Sequence, residues 1–145
     1  MTPRLFGPRP ALLAAAVAAA ALAAGCAPST RSSSNSTSKF RGDQRQAAQT
    51  IEDLEAAAND GNEAKICREL LSRSLAGRLA SHGASCVAAT KEAVKDADSL
   101  GMTVEQVRIE GDLATARVTL DRGDKDRVAN IQLVREGGRW KISAL

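Results

Sequence analysis

At Gly101 the spacing of apolar residues changes from steps of three and four to steps of two, and that break constrains the fold more than any other feature of the chain. Before it, Ala47, Ile51, Leu54 and Ala58 recur at intervals of 4, 3 and 4, the stripe of an amphipathic helix. After it, Ala114, Ala116, Val118 and Leu120 alternate with Thr115, Arg117 and Thr119, as a strand with one wet face does. A helical period cannot present one face of a strand, nor a strand period one face of a helix, so helices come first and strands second. Helices followed by a meander of strands predict an α+β fold, with N-terminal helices packed on one side of an antiparallel sheet of about four strands.

Local signals place the elements. Asp43 is predicted to cap the first helix, with Gln46 at capping-box spacing, and Asn59-Asp60-Gly61 to end it. Asn62 is predicted to cap a second helix carrying Ile66, Cys67, Leu70 and Leu71, followed by a short segment with Leu75 and Leu79. Gly83 breaks that run, and a third helix offers Cys86, Ala89, Ala93, Val94 and Ala97, whose alanines predict close packing. Val107 and Ile109 lead into a turn at Glu110-Gly111-Asp112, and a second turn spans Asp121 to Asp126. Val128 to Val134 then aligns Ala129, Ile131 and Leu133 on one face, and Glu136-Gly137-Gly138-Arg139 turns into a last strand, Trp140-Lys141-Ile142-Ser143. Trp140, the one large aromatic of that half, is expected to anchor the core.

The first residues carry a different message. Arg4 and Arg9 precede an uncharged apolar run from Ala11 to Ala24 that closes with Leu22-Ala23-Ala24-Gly25-Cys26. The run is short for a bilayer core, which takes about 20 helical residues, and suits an export h-region behind a positive n-region. The segment resembles a bacterial lipoprotein export signal, departing from the family only in having Ala23 where a large aliphatic residue usually stands, with Leu22 one place earlier. The resemblance implies cleavage before Cys26, diacylglycerol on its thiol, acylation of the new amino terminus, and a protein anchored by lipid on the extracytoplasmic side of a cell membrane. No adjacent arginine pair points to the twin-arginine route.

The chain therefore divides into a signal peptide over 1–25, a tether over 26–42 and one domain over 43–145. Ala27 to Phe40 is rich in serine and threonine and has almost no apolar surface to offset the entropy of ordering. As a flexible coil it spans roughly 20 Å on average. Its basic residues either meet anionic head groups, at about 1 kcal/mol per charge, or serve only solubility. Asn35-Ser36-Thr37 matches a glycosylation acceptor, discounted as chance in an exported bacterial chain. Without the signal, 18 basic residues face 17 acidic ones, and from Asp43 onward 15 face 17, so the domain is not basic. With Phe40 and Trp140 its only aromatics, the chain without its signal also lacks the stacking platforms of a nucleic-acid binder.

Lipidation of Cys26 leaves Cys67 and Cys86 as one pair in an oxidising compartment, and a disulfide between them is expected. Those two cysteines with a lone His82 fall short of the four ligands of a structural zinc site, so no metal is expected.

Across residues 43 to 145 the helical opening with Asp60-Gly61-Asn62, the cysteine in the second helix and the one opening the third form a pattern with two strand motifs: Glu110-Gly111-Asp112-Leu113-Ala114 and Val134-Arg135-Glu136-Gly137-Gly138-Arg139-Trp140-Lys141-Ile142. Together they resemble the NTF2-like superfamily, specifically its small exported lipoproteins. The resemblance implies a curved sheet wrapped around helices into a cone with a pocket. It implies no single activity, because that cone serves isomerases, hydrolases, ligand traps and dimerisation modules alike. Members often dimerise through the outer face of the sheet; here Thr115, Arg117 and Thr119 make that face polar and leave a homodimer open.

The catalytic set of such isomerases includes a tyrosine oxyanion donor, and the chain has no tyrosine. His82 has no evident orienting partner. Neither a nucleophile elbow nor a glycine-rich phosphate loop occurs, so no catalytic residue and no cofactor is assigned. Arg122-Gly123-Asp124 has the letters of an adhesion tripeptide but the composition of an ordinary turn. The sequence thus favours a non-enzymatic module that binds a protein partner or a small apolar ligand. The alternative is an enzyme whose pocket uses charged residues such as Asp112, Arg117 or Arg135.

Overall fold

A computed structural model describes residues 36–81, 84–95, 100–121 and 126–145. Cys26, the export segment, the tether as far as Asn35, His82, Gly83, Ala97 and Arg122-Gly123-Asp124 lie outside the described residues. The fold is α+β. Helices α1 (Gly42–Asn59), α2 (Glu63–Lys65), α3 (Arg73–Ala80) and α4 (Cys86–Val94) precede strands β1 (Gly101–Glu110), β2 (Leu113–Asp121), β3 (Asp126–Glu136) and β4 (Arg139–Ala144). The strands form one antiparallel sheet in chain order. Among the described residues no helix is long and apolar enough to cross a membrane.

Helix α1 lays its stripe on the sheet as the spacing predicts, burying Ala47, Ala48, Ile51, Leu54 and Ala57. Its start differs. The helix begins at Gly42 behind Arg41, with no side-chain cap, and the Asp43 carboxylate instead reaches Arg135. An ion pair with a guanidinium brought in from β3 outcompetes the local cap, a choice invisible to a window of four residues. Residues 36–42 also pack on the domain: Ser36–Lys39 form a short 3-10 turn, and Phe40 is buried. The apolar ring supplies the burial that the surrounding serines and threonines lack.

Asn62 caps α2 as expected, its Oδ1 accepting from the Lys65 amide at 3.1 Å. The helix then widens into a π-turn over Ile66–Leu70 that directs Ile66 and Leu70 inward. Leu71 bridges Ile142 in parallel, and the Ser72 amide donates to the Ile142 carbonyl at 2.8 Å, so this segment covers the β4 edge. The fully buried Ser72 side chain caps α3, accepting from the Leu75 amide at 3.2 Å. The segment with Leu75 and Leu79 is thus a helix of its own, and the helix opened by Cys86 is the fourth. Ser85 caps it through the Ala88 amide.

Strand β1 starts at Gly101, well before Val107. Val104 and Val107 are both buried although three positions apart, which a regular strand forbids. A bulge between Val104 and Gln106 inserts the extra residue and returns the second half of the strand to the inner face. At the β3–β4 hairpin, Gly137 and Gly138 both take positive φ (58° and 77°), the geometry that a two-residue turn between twisted strands requires. The other sheet edge is covered from α1: Gln44 Nε2 donates to the Val107 carbonyl at 2.9 Å, and Glu55 Oε2 accepts from the Met102 amide at 3.2 Å.

Candidate functional site

Between the helices and the inner face of the sheet lies a cavity of about 310 Å³. Helix α1 contributes Leu54 and Ala58, the π-turn Ile66 and α3 Leu79; the sheet contributes Met102, Leu120, Ala129 and Ile131; the exposed Leu145 lies at the rim. Helix α4 supplies Ala89, Thr90, Ala93 and Val94. The alanines that predict close packing instead leave the space. Ala58, Ala89, Ala93 and Ala129 end at a methyl group where larger side chains would fill the gap. Among the described lining residues none has an ionisable side chain, and Thr90 alone has a polar one.

Cys67 and Cys86 meet beside this wall. Their sulfurs stand 2.10 Å apart with Cα atoms 6.1 Å apart, within disulfide-bonding geometry, across a separation of 19 positions. The Thr90 hydroxyl lies 3.3 Å from Cys67 Sγ and 3.9 Å from Cys86 Sγ. Thr90 is itself 7% exposed. Asn59 ties the approach to β1 to helix α1, since its side-chain amide donates to the Leu100 carbonyl at 2.9 Å and accepts from the Leu100 amide at 2.8 Å.

The charged residues considered for catalysis do not meet at the cavity. Arg117 stands opposite Asn130 on the outer face of the sheet. Asp112 and Arg135 do come together, at 3.7 Å, but as part of a structural cap: Arg135 also pairs with Asp43 and lies 4.6 Å over the Trp140 ring. Trp140 is buried, as its place in the last strand predicts. A second, polar groove of about 330 Å³ runs between α1 and the β3–β4 turn, with Asp53, Lys65, Glu69 and Arg139 in its walls. Its mixed charges select no ligand sign. Among the described residues no cluster of metal-ligating side chains occurs.

One carboxyl group is perturbed. Burial pushes Glu55 above the usual carboxylate range and the nearby Glu52 charge adds to that, while the Met102 amide acts in the opposite direction. A raised folded-state value means that folding favours the protonated form. Stability from this group is therefore greatest in acid and falls as pH rises from the ordinary carboxylate value through the folded one. Glu55→Gln keeps an acceptor for the Met102 amide, so the variant is expected to melt higher than the wild type at pH 7, with the difference shrinking toward pH 4. Melting curves at the two pH values check this, and an equal difference at both would show that ionisation of Glu55 is not the cause.

No family model matches the chain, and no curated protein matches it. Among solved structures the chain is similar to a de novo designed NTF2 fold protein, NT-9, with a TM-score of 0.50 and 14% identity, over 72% of this chain and 87% of that one. The likeness shows an NTF2-like fold and nothing beyond the fold.

Proposed function

We propose that this chain is an extracytoplasmic lipoprotein, anchored to the membrane through lipid on Cys26, whose NTF2-like domain holds a small apolar molecule without chemically changing it. The observation that carries the reading is the cavity of about 310 Å³ whose described lining residues have no ionisable side chain. Proton transfer needs a positioned acid or base, and this wall offers methyl groups. The enzyme reading has less support, because Asp112, Arg117 and Arg135 lie away from the cavity. The spacing Leu22-Ala23-Ala24-Gly25-Cys26 supports the anchor, and an exported location supports oxidation of Cys67 and Cys86.

At about 30 Å³ per methylene-sized group the cavity holds roughly ten such groups. Burying them is worth about 8 kcal/mol gross, and an association cost of about 4 kcal/mol leaves an affinity near the millimolar range. Ala93→Phe is expected to fill the space, lowering affinity for a neutral apolar dye such as N-phenyl-1-naphthylamine at least about tenfold while leaving the melting midpoint unchanged or higher. Undiminished dye binding by a folded Ala93→Phe protein would overturn the cavity reading. The anchor has a separate test: metabolic labelling with palmitate is expected to tag the wild-type chain and not Cys26→Ser. Equal labelling of both would place the lipid elsewhere.

A further inference from the structure

The proposed cavity has one polar side chain in its described wall, and the surroundings of that group narrow what the cavity takes. Thr90 sits on α4 with its hydroxyl 3.3 Å from Cys67 Sγ and 3.9 Å from Cys86 Sγ. Neither contact is to the carbonyl one helical turn back, the usual acceptor for a helical threonine. Once the two sulfurs are joined, neither carries a hydrogen, so the hydroxyl is the donor and its partners are weak sulfur acceptors. A donor that is 7% exposed and, among the described residues, bonded only to sulfur has weaker partners than an oxygen acceptor would give it.

We infer that the cavity selects uncharged, largely hydrocarbon molecules carrying a single oxygen acceptor, a carbonyl or an ether, and that the Thr90 hydroxyl donates to that oxygen. The inference rests on the ligand-holding reading above and adds the chemical class. Volume sets the hydrocarbon part at roughly ten methylene-sized groups. The charge limit follows from the wall. No described lining side chain offers a cation to a buried carboxylate or an anion to a buried amine, so an ionised ligand loses its hydration with no charged side chain in return. An oxygen acceptor removes the deficit at Thr90, whereas a pure hydrocarbon leaves it in place. Selectivity then comes from one hydrogen bond added to non-directional burial, with Thr90 as a binding residue.

Butylbenzene, butyrophenone and 4-phenylbutyrate share one carbon count and differ in having no oxygen, a ketone, and a carboxylate. Equilibrium dialysis of each against the oxidised full chain in phosphatidylglycerol nanodiscs, with protein-free nanodiscs as blank, reads the preference directly. Butyrophenone is expected to bind at least as tightly as butylbenzene, and 4-phenylbutyrate about tenfold more weakly than either. Thr90→Val is expected to weaken butyrophenone about three- to tenfold and leave butylbenzene within about twofold, while Thr90→Ser retains the ketone. Melting curves confirm that each variant is folded; if Thr90→Val is not, loss of the ketone by folded Thr90→Ser alone overturns the assignment. Unchanged ketone affinity in folded Thr90→Val, or tight binding of the carboxylate, overturns the selectivity while leaving the cavity reading in place. Failure of all three molecules to bind above the blank removes both.

Discussion

Trp140→Ala is expected to cost about 3–5 kcal/mol, the largest effect of any single substitution in the domain. The indole is 3% exposed on β4, and its strand meets the helical layer at the Thr50 hydroxyl, which is shared between the Gln46 carbonyl at 3.1 Å and the Trp140 carbonyl at 3.3 Å. Arg135 covers the ring at 4.6 Å and is itself fixed by Asp43 and Asp112. Truncation therefore removes the ring and also the surface on which the guanidinium lies, so a cation, two carboxylates and the first turn of α1 lose their common support. Against a typical domain stability of about 5–15 kcal/mol, the loss is a large share of the total. Trp140→Phe separates packing from polarity. The indole Nε1 is buried with no hydrogen-bond partner among the described residues, so phenylalanine removes an uncompensated donor along with part of the volume. It is expected to cost much less than alanine. Urea unfolding followed by circular dichroism measures both, and an unchanged midpoint for Trp140→Ala would contradict the buried assignment.

Local periodicity made much of this fold legible. The α1 stripe, the Asn62 cap, the alternation in β2 and the Gly137-Gly138 turn are each decided within a few residues, and each stands where the spacing puts it. What escaped depends on distant partners. Asp43 looks like a cap until Arg135 arrives from 92 positions away. Met102 and Val104 fall out of register with Val107 and Ile109 unless a bulge is allowed, and nothing in the pattern announces one. Phe40 hides in a run whose average composition argues against order. The cavity was the least legible feature. An alanine-rich helix reads as one that packs closely, and only the facing layer decides whether its methyl groups meet a neighbour or line a void. Thr90 gave no signal either, because a threonine one turn beyond a cysteine is unremarkable until both sulfurs stand beside it.

Breaking the Cys67 to Cys86 link is expected to cost about 3 kcal/mol, the value that chain entropy assigns to a loop of this size. The midpoint should drop by a similar amount whether the link is removed by reductant or by Cys67→Ser with Cys86→Ser. The effect should also be uneven in space. Helix α4 buries a single residue, Thr90, and is short, so the link is its covalent tie to the π-turn that follows α2. The same helix supplies Ala89, Thr90, Ala93 and Val94 to the cavity. Loss of the link should therefore raise amide exchange in α4 before it does so in α1 or the sheet, and it should weaken binding of a neutral apolar dye under conditions where the strands remain folded. Intact-mass measurement with and without reductant establishes whether the oxidised form is the one present. Two free thiols in protein recovered from an oxidising compartment, or a midpoint indifferent to reductant, would remove the link from the account. Uniform loss of protection across the whole domain would instead make the link a global staple and leave the cavity wall to be held by packing alone.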